Sequence, residues 1–174
     1  IAVLDSAQFT ALTTAQFVAM TTAQIAALSP DQAASLATDD LAALRTAQIR
    51  ALGTDALAAL STGAIVALRS DQVAALSNEQ IDAFSAPQIA AIATDDFRAL
   101  TTAQIAGLST EQVAVLTADQ LLALGSAQLR AFSAEQLAAI DPAAQAAFGT
   151  SQYAGMSTAQ VAALTPAQAA ALTT

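Results

Sequence analysis

The chain has 174 residues, with five arginines and no lysine against 14 acidic residues, and it contains no cysteine, histidine or tryptophan. Without cysteine or histidine, disulfides, zinc-finger sites and triads built on a histidine base are impossible. The net charge of −9 argues against nucleic-acid binding, because phosphate charge calls for a basic surface.

The apolar composition raises the question of a membrane span, which needs ~20 mostly apolar residues in a row. The longest charge-free stretch, from Ser6 to Pro30, is interrupted by Ser, Thr and Gln every few residues. No basic segment followed by an apolar core and a cleavage site is present either. We therefore predict neither a membrane span nor a signal peptide within this sequence.

A large apolar residue recurs every eight residues from Leu4 to Leu172 without a break. This period defines 21 full octads, from Leu4 to Ala171, with partial octads at residues 1–3 and 172–174. The sequence therefore predicts a single octapeptide-repeat domain over residues 1–174, and the partial octads indicate an array that continues at both ends. A repeat of this kind is typical of a repeat architecture, in which each unit packs against its neighbours.

Each octad, numbered from its large apolar residue, follows one pattern. Every octad has Ser, Thr, Asp or Asn at position 2 or 3, and 16 of the 21 have Gln at position 5. Position 6 is large and apolar in most octads, and position 8 is nearly always Ala. The pattern specifies architecture rather than chemistry.

One long helix does not fit this period. Eight residues at ~100° each turn ~80° beyond two full turns, so the apolar stripe would wind around the helix. A coiled coil needs a period near seven or eleven. A β-solenoid is the other alternative, but positions 1, 6 and 8 do not alternate, and a composition rich in Ala and Gln favours helix.

The octad instead carries the signature of a helix start. Ser or Thr at position 2 and Gln at position 5 have the spacing of a capping box, in which each side chain bonds the other residue's backbone N–H. Apolar residues at positions 1 and 6 have the spacing of a hydrophobic staple. We therefore predict a new short helix in every octad, from the octad of Leu4 to the octad of Leu164.

Prolines and charges agree with this prediction. All four prolines fall at position 3 or 4, the first turn, where a missing N–H costs nothing: Pro30, Pro87, Pro142 and Pro166. Nine acids lie at position 4, and Arg50, Arg98 and Arg130 lie at position 7, as the helix dipole favours. In the two octads with Arg45 or Arg69 at position 2, we expect Thr46 and Ser70 to cap one residue later.

Helices this short need neighbours, because isolated helices below ~12 residues are marginal. We therefore predict an all-α fold, a corkscrew-like α-solenoid superhelix of about 21 very short helices with positions 1 and 6 in one thin core. The six phenylalanines and Tyr153 occupy these positions. The Gln column has two interpretations, local capping or a buried ladder bridging successive octads, and both can hold.

Runs such as Leu100-Thr-Thr-Ala-Gln-Ile-Ala-Gly and Leu108-Ser-Thr-Glu-Gln-Val-Ala-Val resemble the octapeptide arrays of very large bacterial surface or secreted proteins. The resemblance covers all 174 residues and implies an extended stalk or spacer within an adhesin-like protein. It brings no active-site residues. The octad of Ile140 departs from the pattern, because Gln145 occupies position 6.

We predict no catalytic, cofactor-binding or metal-binding residue, and no enzymatic activity. The acidic pairs Asp39-Asp40 and Asp95-Asp96 could offer oxygens to calcium, but such a site needs six or more ligands. We interpret them as first-turn acids, with Asp replacing Gln in the capping box. Catalysis by paired carboxylates needs a cleft, which an unbroken array does not offer.

The sequence thus predicts a structural repeat module, an extended spacer or stalk within a larger bacterial surface or secreted protein. The expected partners are neighbouring domains of that protein, with end-to-end self-association possible because array ends expose apolar core. The alternative is a solenoid scaffold that binds a protein or peptide in a groove. That function calls for exposed aromatic or charged residues repeated at one octad position, whereas positions 4 and 7 carry mainly Ala and scattered charges.

Overall fold

A computed structural model describes residues 4–171, and the partial octads at both ends lie outside the described residues. Within residues 4–171 the backbone forms 21 α-helices of four to six residues and no strand. The predicted all-α solenoid with one short helix per octad is therefore confirmed. The helices are α1 Ser6–Thr10, α2 Thr14–Ala19, α3 Thr22–Ala26, α4 Pro30–Ala34, α5 Thr38–Ala43, α6 Thr46–Ala51, α7 Thr54–Ala58, α8 Thr62–Val66, α9 Ser70–Ala75, α10 Asn78–Asp82, α11 Ala86–Ala91, α12 Thr94–Arg98, α13 Thr102–Ala106, α14 Thr110–Ala114, α15 Ala118–Ala123, α16 Ser126–Ala131, α17 Ala134–Ala139, α18 Pro142–Gln145, α19 Thr150–Gly155, α20 Thr158–Ala162 and α21 Pro166–Ala170.

Every helix begins at position 3, so position 2 is the N-cap. In α3 the cap residue Thr21 is extended, and the backbone N–H of Gln24 donates to Thr21 Oγ1 at 3.2 Å. The Thr21 N–H donates in return to Gln24 Oε1 at 2.8 Å. These reciprocal bonds satisfy two N–H groups that a helix start otherwise leaves without partners.

In the two octads with arginine at position 2, the helix still begins at position 3. The prediction that Thr46 and Ser70 act as the caps was therefore wrong. Both residues are the first residues of their helices, and Arg45 and Arg69 are the caps. The side chain of Gln48 accepts from the Arg45 N–H at 2.9 Å, as Gln72 does from Arg69. The glutamine half of the motif is therefore enough to hold the start at position 3.

The first turns hold the residues predicted for them. Pro30, Pro142 and Pro166 are the first residues of their helices, and Pro87 is the second residue of α11. The acids at position 4 stand in first turns, while Arg50, Arg98 and Arg130 stand in last turns. Each charge therefore faces the end of the helix dipole that favours it.

The chain passes from one helix to the next without a left-handed residue anywhere in the described range. After α2, for example, Met20 is extended and leads directly into the extended cap Thr21. Only two to four non-helical residues therefore separate consecutive helices, and Gly is not needed at the helix ends.

Helices three octads apart pack against each other along the whole described array, as in α4 with α7, α7 with α10 and α10 with α13. Glutamine side chains reach back slightly further, to the junction between the helices three and four octads earlier. One superhelical turn therefore takes between three and four octads, a number that the octad pattern itself does not contain.

The core is one thin, continuous cluster built from positions 1 and 6. Phe9, Phe17, Ile25, Phe97 and Leu121 at position 6 are at most 1% exposed, and position 1 is nearly as well covered. All six phenylalanines are buried, as predicted. No helix formed by residues 4–171 is long and apolar enough to cross a bilayer.

Candidate functional site

The most regular polar feature of the molecule is the glutamine at position 5, which joins two superhelical turns. Gln80 is 4% exposed, and its Oε1 accepts from the Ser77 N–H at 2.9 Å at the start of its own helix. Its Nε2 donates to the Ile49 carbonyl at 3.0 Å and to the Leu52 carbonyl at 2.8 Å, in the preceding turn. One side chain therefore caps the N-terminus of α10 and the C-terminus of α6.

The same bond recurs along the array, and we call this set of glutamines the glutamine ladder. Each member donates to backbone carbonyls 28 to 31 residues earlier: Gln32, Gln48, Gln72, Gln80, Gln88, Gln104, Gln112, Gln120, Gln128, Gln136, Gln160 and Gln168. The last carbonyls of an α-helix have no partner within the helix, and in buried positions an unpaired carbonyl is costly. The ladder supplies those partners at each turn.

Both interpretations of the Gln column hold, with one correction. The side chains cap their own helices, and most also form a buried ladder. The ladder, however, does not bridge successive octads as predicted. It bridges octads three to four apart, because those are the octads that the superhelix places next to each other.

The acidic pairs have a different role from the one predicted for them. Asp40 and Asp96 occupy position 5, but neither α5 nor α12 has a side-chain cap, so aspartate does not replace glutamine in the capping box. A carboxylate has no N–H to donate to the backbone carbonyls of the preceding turn, as a glutamine does. It accepts instead: Thr14 Oγ1 donates to Asp40 Oδ1 at 2.6 Å, and Ser70 Oγ donates to Asp96 Oδ1 at 2.5 Å.

Removing the donor to Asp40 tests this substitute link. Asp40 is only 9% exposed, so Thr14→Val is expected to lower the free energy of unfolding by about 1.5–3 kcal/mol, the usual range for a bond to a charged group. Thr22→Val is the matched control, since Thr22 is likewise an exposed threonine at position 3, but the position-5 residue three octads later is Gln48, which bonds the Phe17 and Met20 carbonyls. It should change stability by less than about 0.5 kcal/mol. Urea denaturation measures both. Equal losses would show that the Thr14–Asp40 bond contributes nothing.

The described residues form one ion pair, between Arg69 Nε and Asp71 Oδ1 at 3.1 Å. The hydrogen bond from the Arg69 side chain holds the pKa of Asp71 below its usual value. A lowered folded pKa adds stability at pH values above the unfolded pKa, and this stability is lost as the pH falls through the folded pKa. Both side chains are about half exposed, so solvent screening keeps the contribution small.

The octad of Ile140 has a buried polar atom without a partner. Gln145 stands at position 6, is 1% exposed, and its Oε1 has no hydrogen-bond partner. Its Nε2 lies 3.5 Å from the hydroxyl of Tyr153, which is half-buried with its ring against Phe148. Tyr153 thus packs against the core at position 6, as predicted, with its hydroxyl next to the Gln145 amide.

Replacing Gln145 with leucine is expected to stabilise the protein by about 1 kcal/mol, because a buried acceptor without a partner is costly and Leu suits position 6. Gln160→Leu is the matched control. Gln160 is also buried, but its Nε2 bonds the Leu129 and Phe132 carbonyls at 2.9 Å, so the same change should destabilise. Thermal unfolding followed by circular dichroism gives both signs, and a loss at Gln145 would contradict the assignment.

Two cavities lie in the C-terminal part of the array, and both are lined by uncharged side chains. The larger, of about 480 Å³, is open and mainly apolar, and it is lined by Phe148, Gly149, Thr150, Tyr153, Val161 and Leu164. The smaller, of about 130 Å³, lies beside Gln152, whose Oε1 caps the Gly149 N–H at 3.1 Å. Within residues 4–171 no three acidic side chains come together as a cation site would require.

Comparison with known sequences agrees with this architecture. The ALTTAQ repeat matches five segments, residues 1–38, 33–69, 54–86, 89–126 and 145–174, which together span most of the chain. No curated protein and no solved structure matches. The matched segments contain most of the glutamine ladder, so the repeat that defines the family is also the unit that joins the superhelical turns.

Proposed function

Since the chain belongs to the ALTTAQ repeat family, we propose that it is a structural module that acts as an extended spacer or stalk. The observation that carries the proposal is the glutamine ladder, which repeats the same turn-to-turn contact from Gln32 to Gln168. Each added octad extends such an array without changing its cross-section, because contacts reach only the neighbouring turns. Length is then set by the number of octads.

We further propose that the module belongs to a larger bacterial surface or secreted protein and has no catalytic activity of its own. The resemblance of its octads to the arrays of such proteins supports the first part. The second part is supported by the use of the polar side chains. Glutamines join turns, while the acids stand mainly in first turns, where they stabilise helices. Neighbouring domains of the same protein are the expected partners.

A peptide-binding scaffold stays the alternative. It would need a repeated stripe of exposed anchoring side chains. Four large apolar residues of the described range are exposed: Val66, Val115, Leu122 and Val161. They occupy octad positions 6, 7 and 8, so they do not form a stripe at one position. The spacer function therefore accounts better for the surface.

Removing whole octads tests the spacer. Deletion of residues 76–131 removes seven octads, which is two superhelical turns if a turn takes about 3.5 octads, and it joins Ala75 to the next position 1, Phe132. A spacer should lose about one third of its maximum dimension in solution X-ray scattering, in proportion to the 56 of 174 residues removed. A compact globule would shrink by only about 14%.

The matched control removes residues 76–130, one residue fewer, and so breaks the period at the junction. All octads after the junction are then out of step with the turns before it, and the control should lose cooperative unfolding. If the whole-octad deletion shrank the particle no more than a globule would, or if both deletions behaved alike, the spacer proposal would be wrong.

A further inference from the structure

The glutamine ladder has gaps, and three of them act on the same contact between turns. Position 5 carries no glutamine in the octads that have Asp40, Ala56 and Ala64 there, although Gln48 lies between them. Glutamines of the ladder bond carbonyls 28 to 31 residues earlier. The three gaps therefore remove bonds between residues before position 36 of the chain and residues after it.

This contact is the boundary between residues 35 and 36, where one octad ends and the next begins, and we call it the seam. Helices α2, α3 and α4 lie before the seam and pack on α5, α6 and α7 after it. Within residues 4–171, the side-chain hydrogen bonds across the seam come from two places. Gln48 donates to the Phe17 and Met20 carbonyls at 3.0 and 2.9 Å. Thr14 donates to Asp40 at 2.6 Å.

The middle of the array shows the full number of ladder bonds. Four glutamines bond carbonyls across the boundary between residues 107 and 108: Gln112, Gln120, Gln128 and Gln136. At the seam Gln48 is the one glutamine that does so. Every other boundary in the described range with at least four octads on each side is crossed by two to four glutamines of the ladder. The seam therefore has the fewest bonds of these boundaries.

Apolar packing keeps the seam closed, but it is reduced in one place. Phe9 and Phe17 lie before the seam and are at most 1% exposed, with ring centroids 5.1 Å apart. At position 6 of α4, however, stands Ala33, whereas the octads from residue 36 to residue 139 all have Ile, Leu, Val or Phe there. Helix α7 packs on α4 and contributes Ala56, and both alanines are 2% exposed. Methyl groups bury less apolar area than larger side chains, so this part of the seam is held less strongly.

We propose that the array opens first at the seam when it is pulled along its axis, so that the spacer has a built-in point of extension. Each contact between neighbouring turns carries the same pull, because the turns follow one another in series. The contact with the fewest bonds then separates first. The backbone continues through the seam, so its opening lengthens the spacer without dividing it. This inference rests on the proposed spacer function and adds how the spacer responds to tension.

Pulling single molecules by their two ends in optical tweezers tests the proposal directly. Within residues 4–171, the seam is the contact that holds residues 4–35 to the later turns. The first step should therefore release these 32 residues together, an extension of about 100 Å. Unfolding of one octad at a time would give steps of about 28 Å instead. Steps of that smaller size from the start would overturn the proposal.

Hydrogen exchange should show the same boundary without load, since it reports local opening at equilibrium. The amides of residues 4–35 should exchange together and about tenfold or more faster than those of residues 84–115, because three ladder bonds are missing at the seam. The change should be a step at residue 36. A gradual slowing from the N-terminus towards the middle would indicate fraying of the chain end and would contradict the seam.

One variant removes the last ladder bond of the seam, and its control removes the same bond elsewhere. Gln48 and Gln120 are both at most 1% exposed, and both bond carbonyls 28 and 31 residues earlier. Gln48→Leu should speed the exchange of residues 4–35 by about thirtyfold and lower the force of the first step. Gln120→Leu should leave both unchanged. Equal effects of the two variants on residues 4–35 would overturn the proposal.

Another variant restores a missing bond. Ala56→Gln adds a glutamine whose acceptors are the Ile25 and Leu28 carbonyls, 31 and 28 residues earlier. It should slow the exchange of residues 4–35 by about fivefold or more and raise the force of the first step. Ala144→Gln makes the same change in a later octad and should not affect residues 4–35. Exchange of these residues in Ala56→Gln as fast as in the original chain would show that gaps in the ladder do not define the seam.

The seam and the spacer fail separately. Solution X-ray scattering of the original chain reports its shape, while hydrogen exchange reports the seam. An elongated particle without a step at residue 36 would retain the spacer and reject the seam. A compact particle would reject the spacer, whatever the pattern of exchange.

Discussion

Replacing Gln80 with leucine is expected to lower the free energy of unfolding by about 2–4 kcal/mol. The change removes the acceptor for the Ser77 N–H, a helix-cap contribution of about 1 kcal/mol. It also removes the donor to the Ile49 and Leu52 carbonyls, and buried groups that lose their partner cost about 1–3 kcal/mol. Leucine has a similar size, so lost packing adds little.

Gln24→Leu is the matched control for Gln80. Gln24 is exposed at the N-terminal end, and its Oε1 caps Thr21 in the same way, at 2.8 Å. It should therefore lose only the cap contribution, about 1 kcal/mol or less. Urea denaturation measures the difference between the two variants, which is the contribution of the glutamine ladder. If the two losses were equal, the bonds between turns would be stabilising nothing.

A glutamate at the same place separates the donor from the acceptor. Gln80→Glu keeps an oxygen for the Ser77 N–H, but the ionised side chain points a charge at the Ile49 and Leu52 carbonyls. Burial beside carbonyl oxygens raises the pKa of this carboxyl in the folded state. Its stability contribution is then present below the unfolded pKa and is lost as the pH rises through the folded pKa. The variant should therefore be more stable at acid pH than at neutral pH.

The local part of this fold follows from the sequence because it depends on contacts within one octad. The spacing of Ser or Thr and Gln predicts the helix start at position 3, and the structure places all 21 starts there. Pro30 and Pro142 also stand at position 3, where their helices begin. Positions 1 and 6 are predicted to be buried, and they form the core. The helix starts and the buried positions are therefore determined by residues that are close in sequence.

The superhelix does not follow in the same way, because its pitch depends on contacts 28 to 31 residues apart. Nothing in one octad indicates that Gln80 meets Ile49 rather than a residue of the adjacent octad. The partner of Asp40 was missed for the same reason, since Thr14 lies 26 residues away. A pairing of Asp at position 5 with a hydroxyl at position 3 three octads earlier is the signal that the sequence does contain.

The error at Arg45 comes from weighing the cap residue alone, without the core contacts of its helix. We expected the nearest hydroxyl, Thr46, to become the cap, which would move the helix start by one residue. A shifted start would also move Ile49 out of register with the core, where it is completely buried. Gln48 already satisfies the Arg45 N–H, so the unshifted start keeps both the core contact and the cap bond. Packing between turns therefore outweighs the preference of a single cap residue.

Replacing Phe97 with alanine is expected to lower the free energy of unfolding by about 3–5 kcal/mol. Phe97 is completely buried at position 6 of α12. Its octad also lacks a glutamine, and Asp96 is held to the preceding turn only by the hydroxyl of Ser70. Gln120 and Gln128 of later octads bond the Ile92 and Arg98 carbonyls of this octad, and burial of the ring adds the apolar contact between turns.

The place of this substitution in the array should also change how the protein unfolds. In a solenoid each turn contacts only its neighbours, so a weakened octad divides the array into two parts that unfold separately. Hydrogen exchange should show faster exchange around α12, while the helices near Gln48 and Gln136 keep their protection. Val161→Ala is the matched control, because Val161 also stands at position 6 but is 48% exposed, and it should cost less than about 1 kcal/mol. Similar losses at Phe97 and Val161 would show that burial of position 6 between turns does not stabilise the array.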